Sequence, residues 1–85
     1  MREGWEAMRE EVMRGLLRQK FSEPRQARQL LSTGRRRLVE GNHWGDHYWG
    51  MCQGEAEEWV GENRLGELLM EVRQELAEHD DLHTQ

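Results

Sequence analysis

Gly61-Glu62-Asn63-Arg64-Leu65-Gly66-Glu67-Leu68-Leu69-Met70-Glu71-Val72-Arg73 is the stretch that decides how this chain folds. Two glycines bracket an asparagine, and apolar residues then recur at Leu65, Leu68, Leu69, Val72 and Leu76, the spacing of one face of a helix. This predicts a closing amphipathic helix from about Asn63 to His79, opened by a glycine-bounded loop. Backbone N–H groups at such a helix start lack partners within the helix and favour phosphate or other anionic ligands. The Asn63 side chain has two readings there, as an N-cap or as a partner for a ribose hydroxyl.

Upstream lies Asp46-His47-Tyr48-Trp49-Gly50, a carboxylate three residues before a tryptophan in a second glycine-bounded loop. It sits in a region, residues 41 to 61, that holds Gly41, Gly45, Gly50, Gly54 and Gly61 with Trp44, Trp49 and Trp59. That mixture is too irregular for regular elements and too aromatic for a linker, so it reads as a functional loop region. Before it, Arg36-Arg37-Leu38-Val39-Glu40 is the one strand-like segment, bounded by Gly34 and Gly41. Ser22 is the expected N-cap of a short helix with Glu23 and Pro24 in its first turn, Ala27, Leu30 and Leu31 on its apolar face, and Gly34 at its end. From Trp5 to Gln19, the residues Trp5, Met8, Val12, Leu16 and Leu17 form the stripe of a first amphipathic helix, which needs something to cover it. The expected fold is mainly α with one or two short β-strands, a single domain over residues 1–79 with a frayed tail at 80–85.

Eighty-five residues make one domain at most, with little surface to bury and no evident staple. Twelve basic against 17 acidic residues, a formal net charge of -5, exclude a general binder of phosphate backbones but leave a nucleotide ligand open. Cys52 is the lone cysteine, so no intramolecular disulfide can form, and a reducing, cytoplasmic setting is the default expectation. No segment has the length or apolarity of a membrane span or a signal peptide. His43 and His47, and His79 and His83, are spaced four apart near Cys52 or in the tail, but the first pair sits in a glycine-rich loop rather than a helix. Metal is outside the main reading, and no cofactor is required.

These pieces, in order, resemble the NADAR domain family, whose members include N-glycosidases of riboflavin-biosynthesis intermediates and hydrolases acting on ADP-ribosylated guanine. Trp5-Glu6-Ala7-Met8-Arg9 with Val12-Met13 is similar to the family's tryptophan-containing helix, and Lys20-Phe21, Leu30-Leu31-Ser32-Thr33-Gly34 and Leu38-Val39-Glu40 resemble its next landmarks. Asp46 to Gly50 resembles its Asp-x-x-Trp-Gly pattern, and Gly61 to Arg73 its Gly-x-Asn-x-Leu-Gly-x-x-Leu-Met-x-x-Arg pattern. The family also carries an N-terminal segment with a glutamate-histidine motif. This sequence begins at Met1 just before the Trp5 helix, so the expectation is a minimal, N-terminally truncated version of the fold. Arg9 stands where the family usually has lysine, keeping the charge without a compact ammonium.

The resemblance implies hydrolysis of an N-glycosidic bond, with Asp46 stabilising the oxocarbenium-like centre or orienting water and Trp5 stacking on the base. Read without it, Asp46 caps its own turn and Trp5 anchors a core. Trp49 and Gly50 would wall the same pocket, Asn63 and Gly66 would shape the helix start, and Arg9 and Arg73 would meet a phosphate or acidic neighbours. The missing carboxylate would come from a second chain, another copy, or Glu40 or Glu62. The expected ligand is an ADP-ribose-like or phosphoribosyl-base small molecule, or ADP-ribosylated nucleic acid. The uncovered stripes predict a homo-oligomer or a partner chain, with no membrane involved. Two alternatives stand beside the enzyme: a catalytically inactive ADP-ribose or nucleotide-binding module, such as a phage sponge, and a helical oligomerisation or interaction fragment.

Overall fold

The computed structural model describes the backbone of residues 2–84 and the side chains of residues 4–79. Helix α1 spans Arg2–Lys20, α2 Pro24–Leu31 and α3 Arg64–Thr84, and strands β1 (Cys52–Gln53) and β2 (Trp59–Val60) lie between α2 and α3. The expected frayed tail at 80–85 falls outside the residues whose side chains are described. The mainly α expectation with short strands therefore holds. The chain divides into two compact units, one joining Met1–Gly34 to Val72–Gln85 and the other comprising Arg35–Glu71.

In the first unit the buried apolar residues are Leu17, Phe21, Leu30 and Val72. Each is worth about 1.5–3 kcal/mol when fully buried, so this is a small core. Leu17 alone of the α1 stripe is buried; Trp5, Met8, Val12 and Leu16 are 60%, 61%, 60% and 55% exposed. Helical spacing thus identifies a real stripe, but four of its five residues face solvent. The end of α1 is tied to α3 by Arg18, whose Nε donates to Glu75 Oε1 at 3.0 Å and whose Nη2 donates to Oε2 at 2.7 Å. Those bonds hold the Glu75 carboxyl below the usual glutamate range, against a smaller opposing effect of desolvation.

Helix α2 is capped one residue later than expected. Pro24 occupies the first turn, and the residue before a proline is pushed to extended backbone, here Glu23 at φ -76° and ψ 126°. The Glu23 carboxylate accepts from Arg25 N and Gln26 N at 3.2 and 3.0 Å, while the Ser22 hydroxyl donates back to Gln19 O. The helix ends earlier than expected, at Leu31 with Ser32 as its C-cap, and Gly34, at φ 66°, turns the chain beyond it.

The second unit departs most from expectation. Residues 36–40 form no strand; the strands lie inside the glycine-rich region, where β1 and β2 pair antiparallel with Cys52 opposite Val60 and Gln53 opposite Trp59. Gly54 N donates to Glu58 O and Glu57 N to Gly54 O across the connecting turn, where Glu57 takes φ 65°. No Asn-Gly or Asp-Gly pair announces this hairpin in the sequence. The 36–40 segment instead bonds to side chains: Leu38 N donates to Met70 Sδ, and Leu38 O and Glu40 N are both taken by the Asn63 amide. Only its end meets backbone, where Gly41 bridges Met51 in parallel fashion.

Candidate functional site

The loops singled out by their glycines lie in the second unit and are bonded to each other. Asp46 Oδ1 accepts from Tyr48 N at 3.0 Å and from Trp49 N at 2.9 Å, so the carboxylate closes its own turn. Its other oxygen makes no hydrogen bond among the described residues. The turn is braced from behind by Asn42, whose Oδ1 accepts from Asp46 N at 3.0 Å and whose Nδ2 donates to Asp46 O at 2.9 Å. The Cys52 thiol adds a donation to Asn42 Oδ1 at 3.1 Å. Asn42 is absent from the candidates above; its signal in the sequence is an asparagine after Gly41 and four residues before Asp46.

Four consecutive N–H groups leading into α3 reach the Asp46 loop. Glu62 N donates to His47 O at 2.7 Å, Asn63 N to Gly50 O at 3.3 Å, Arg64 N to Tyr48 O at 2.9 Å and Leu65 N to Trp49 O at 2.9 Å. The Asn63, Arg64 and Leu65 donors at the helix start that the sequence offered to a phosphate are therefore occupied by the neighbouring loop's carbonyls. Chain segments that close leave no room for side chains. A Cβ on Gly50 would run into Glu40 O and Asn42, and one on Gly66 into Leu38 O and the Asn63 amide. Both glycines are buried.

Asn63 is fully buried, at 0% exposure. Its Oδ1 accepts from Glu40 N at 2.8 Å and its Nδ2 donates to Leu38 O at 2.8 Å, the pair of bonds a neighbouring strand would make. The side chain neither caps α3 nor lies at a surface; it stands in for a β-partner. Its backbone takes φ 54°, a left-handed conformation that asparagine tolerates better than most residues. Trp49 is half-buried, edge-to-face with Tyr48 at 4.9 Å between centroids. Glu40 and Glu62, the two substitute carboxylates, are exposed.

The remaining candidates belong to the first unit. Trp5 is an exposed α1 residue, Arg9 is half-buried on the same helix, and half-buried Arg73 donates from Nη1 to Thr33 Oγ1 at 2.7 Å. Arg73 thus meets a hydroxyl rather than the acidic neighbour that surface arginines commonly find. Among the described residues, no group of three or more His, Cys, Asp or Glu side chains is placed to hold a metal ion, and no helix is long and apolar enough to cross a membrane. His83 lies outside the described side chains.

The sequence matches the NADAR domain over residues 1–77. It is 44% identical over 78 residues to N-glycosidase YbiA of Escherichia coli (strain K12) and to that of Shigella boydii serotype 4 (strain Sb227), covering 91% of this chain and 46% of each relative. It is 43% identical over 79 residues to riboflavin biosynthesis protein VVA0006 of Vibrio vulnificus (strain YJ016), covering 92% of this chain and 20% of that protein. The chain therefore spans about half the length of the YbiA relatives and a fifth of the Vibrio one. No solved structure matches it.

Proposed function

The chain belongs to the NADAR domain family, and on that premise we propose that it takes part in hydrolysing the N-glycosidic bond of a ribosylated base, either a riboflavin intermediate or ADP-ribosylated guanine. The observation that carries the reading is the family match across nearly the whole chain, joined by relatives named as N-glycosidases. The geometry of Asp46 supports it. Two backbone N–H groups orient one carboxylate oxygen, so the second is presented in a fixed direction without an ordering cost at the moment of reaction. In this reading that oxygen faces the positive charge developing at the anomeric carbon or orients the attacking water. Trp49 and Gly50 wall the base, while Asn63 and Gly66 act by holding the two loops together rather than by touching ligand. The second carboxylate in this reading is Glu40 or Glu62, both exposed and in the same unit as Asp46.

Asp46→Asn tests this cleanly, because an amide oxygen at the same place still accepts from Tyr48 N and Trp49 N and keeps the turn. Base release from an ADP-ribosylated guanine oligonucleotide and from a phosphoribosylamino-pyrimidine is followed by mass spectrometry, and ADP-ribose binding by calorimetry. The expected result is release by the wild type that falls at least about a hundredfold in Asp46→Asn, with binding retained. ADP-ribose binding without release would replace the enzyme by a nucleotide-binding module. Neither binding nor release would leave the helical interaction fragment.

A further inference from the structure

The second unit also holds a cleft of about 600 Å³, lined by Gly41, His43, His47, Cys52, Gln53 and Trp59, with Asn42 and Gly45 completing it. None of the residues assigned to hydrolysis lines it. We propose that this cleft is a separate binding site for a neutral heteroaromatic ring of the nucleobase class, carried on a free nucleoside, with Trp59 as its stacking face and Gln53 reading its edge.

The volume lies within the roughly 300–1,000 Å³ typical of small-molecule sites. The lining discriminates among ligand chemistries. In a chain with 34% charged residues, no Asp, Glu, Lys or Arg lines the cleft. A phosphate would require arginine, lysine or free N–H groups, and a cation would require carboxylates. What lines it instead are imidazoles, an amide, a thiol, peptide groups and one indole. Imidazole nitrogens and a glutamine amide supply hydrogen-bonding atoms without a carboxylate, an ammonium or a guanidinium. Such a set matches the donor and acceptor edge of a base, and the indole matches its flat face.

The placement of Trp59 supports this use. Gly41 allows the ring to lie close, since a Cβ there would stand 3.0 Å from Trp59 Cη2 and 3.2 Å from Cζ3. The edge of the ring is braced while half of the residue stays exposed. Gln53 is directly opposite Trp59 in the antiparallel register, so the two side chains project from the same face of the hairpin. Behind them Asn42 spends its amide on Asp46 and Met51 and receives the Cys52 thiol, which fixes the back of the cleft before any ligand arrives. A free nucleoside is favoured over an unpaired base in a strand, because the chain carries a net charge of -5 and the cleft offers no cation to a phosphate backbone.

The test is a titration of the full chain with adenosine, with ribose as the sugar-only control, read from the four tryptophan indole N–H resonances assigned by single Trp→Phe variants. The expected result is a saturable shift of the Trp59 resonance with adenosine and none with ribose. Base stacking contributes about 1–3 kcal/mol, so Trp59→Leu should weaken binding roughly 5- to 150-fold. Trp59→Phe, which keeps a flat ring on the same strand, should recover most of it, and Gln53→Ala should lose part. Leu16→Ala, at an exposed α1 residue that does not line the cleft, should change nothing. Shifts confined to other tryptophans, equal responses to ribose, or an unchanged affinity in Trp59→Leu would overturn the proposal. Tighter, strongly salt-dependent binding of a single-stranded oligoadenylate would overturn the free nucleoside in favour of a nucleic-acid base. Base release that persists in Trp59→Leu after adenosine binding is lost keeps the two proposals separate, so either can fail alone.

Discussion

Replacing Asn63 by alanine removes the amide that bonds the 38–40 segment at both Leu38 O and Glu40 N. Leu38 O and Glu40 N, each bonded at 2.8 Å to the Asn63 amide, would then be left without partners. A buried polar group that loses its partner costs about 1–3 kcal/mol, so the two together cost about 2–6 kcal/mol. The backbone adds to this: at φ 54° alanine is strained by about 1–2 kcal/mol. Against the few kcal/mol that a domain of this size commands, Asn63→Ala should leave the second unit largely unfolded. Asn63→Gly separates the contributions, because glycine accepts the positive φ and retains only the cost of the missing amide. Asn63→Asp keeps the acceptor for Glu40 N but turns an oxygen towards Leu38 O, so it should fall between wild type and alanine. Urea denaturation followed by tryptophan fluorescence gives the stability, and hydrogen exchange at the Glu40 amide reports the local bond. If Asn63→Ala stays within about 0.5 kcal/mol of wild type, or if the Glu40 amide exchanges no faster, the amide is not the strand partner described above.

Gly66→Ala should destabilise by about 1–3 kcal/mol despite alanine's higher helix propensity, because its Cβ meets Leu38 O and the Asn63 amide. Gly15→Ala on α1, where a Cβ meets nothing within 4 Å, should instead stabilise by about 0.5–1 kcal/mol in the same urea titration. Because the Arg18 guanidinium lowers the Glu75 pKa in the folded chain, the pair contributes stability above the unfolded glutamate value, about 4.3, and loses it as pH falls through the lower folded value. The gap between wild type and Glu75→Gln should therefore be about 0.2–1 kcal/mol at neutral pH and close in acid; a gap unchanged by acid refutes the link. The exposed stripe of Trp5, Met8, Val12 and Leu16 should make the chain self-associate at micromolar concentration, with Met8→Glu combined with Val12→Lys shifting it towards monomer in light scattering. A wild-type monomer under those conditions would remove that expectation.

Much of the fold was legible because helices are written locally. The stripe of Leu65, Leu68, Leu69, Val72 and Leu76 located α3, whose Leu68 and Val72 are indeed among the most buried residues, and Gly34 marked the turn after α2. Proline geometry contained the true α2 cap as well, since the residue before Pro24 is the one forced out of helical backbone. The two loops were legible as a unit of interest from their glycines. Their roles were not, because a glycine reports only that something comes close: at Gly50 it is Glu40 O and Asn42, and at Gly66 it is Leu38 O and Asn63.

The sequence by itself determined three amphipathic segments, the absence of an intramolecular disulfide, and membership of a family through an ordered set of motifs. Tertiary structure alone decided which polar groups meet. Periodicity records which side of an element is apolar, but a hydrogen bond depends on the partner's position in space, and the decisive partners here are 23 and 25 residues apart in the chain. That is why a strand-like segment pairs with an asparagine side chain, and why the helix start expected to await a phosphate is closed by the Asp46 loop.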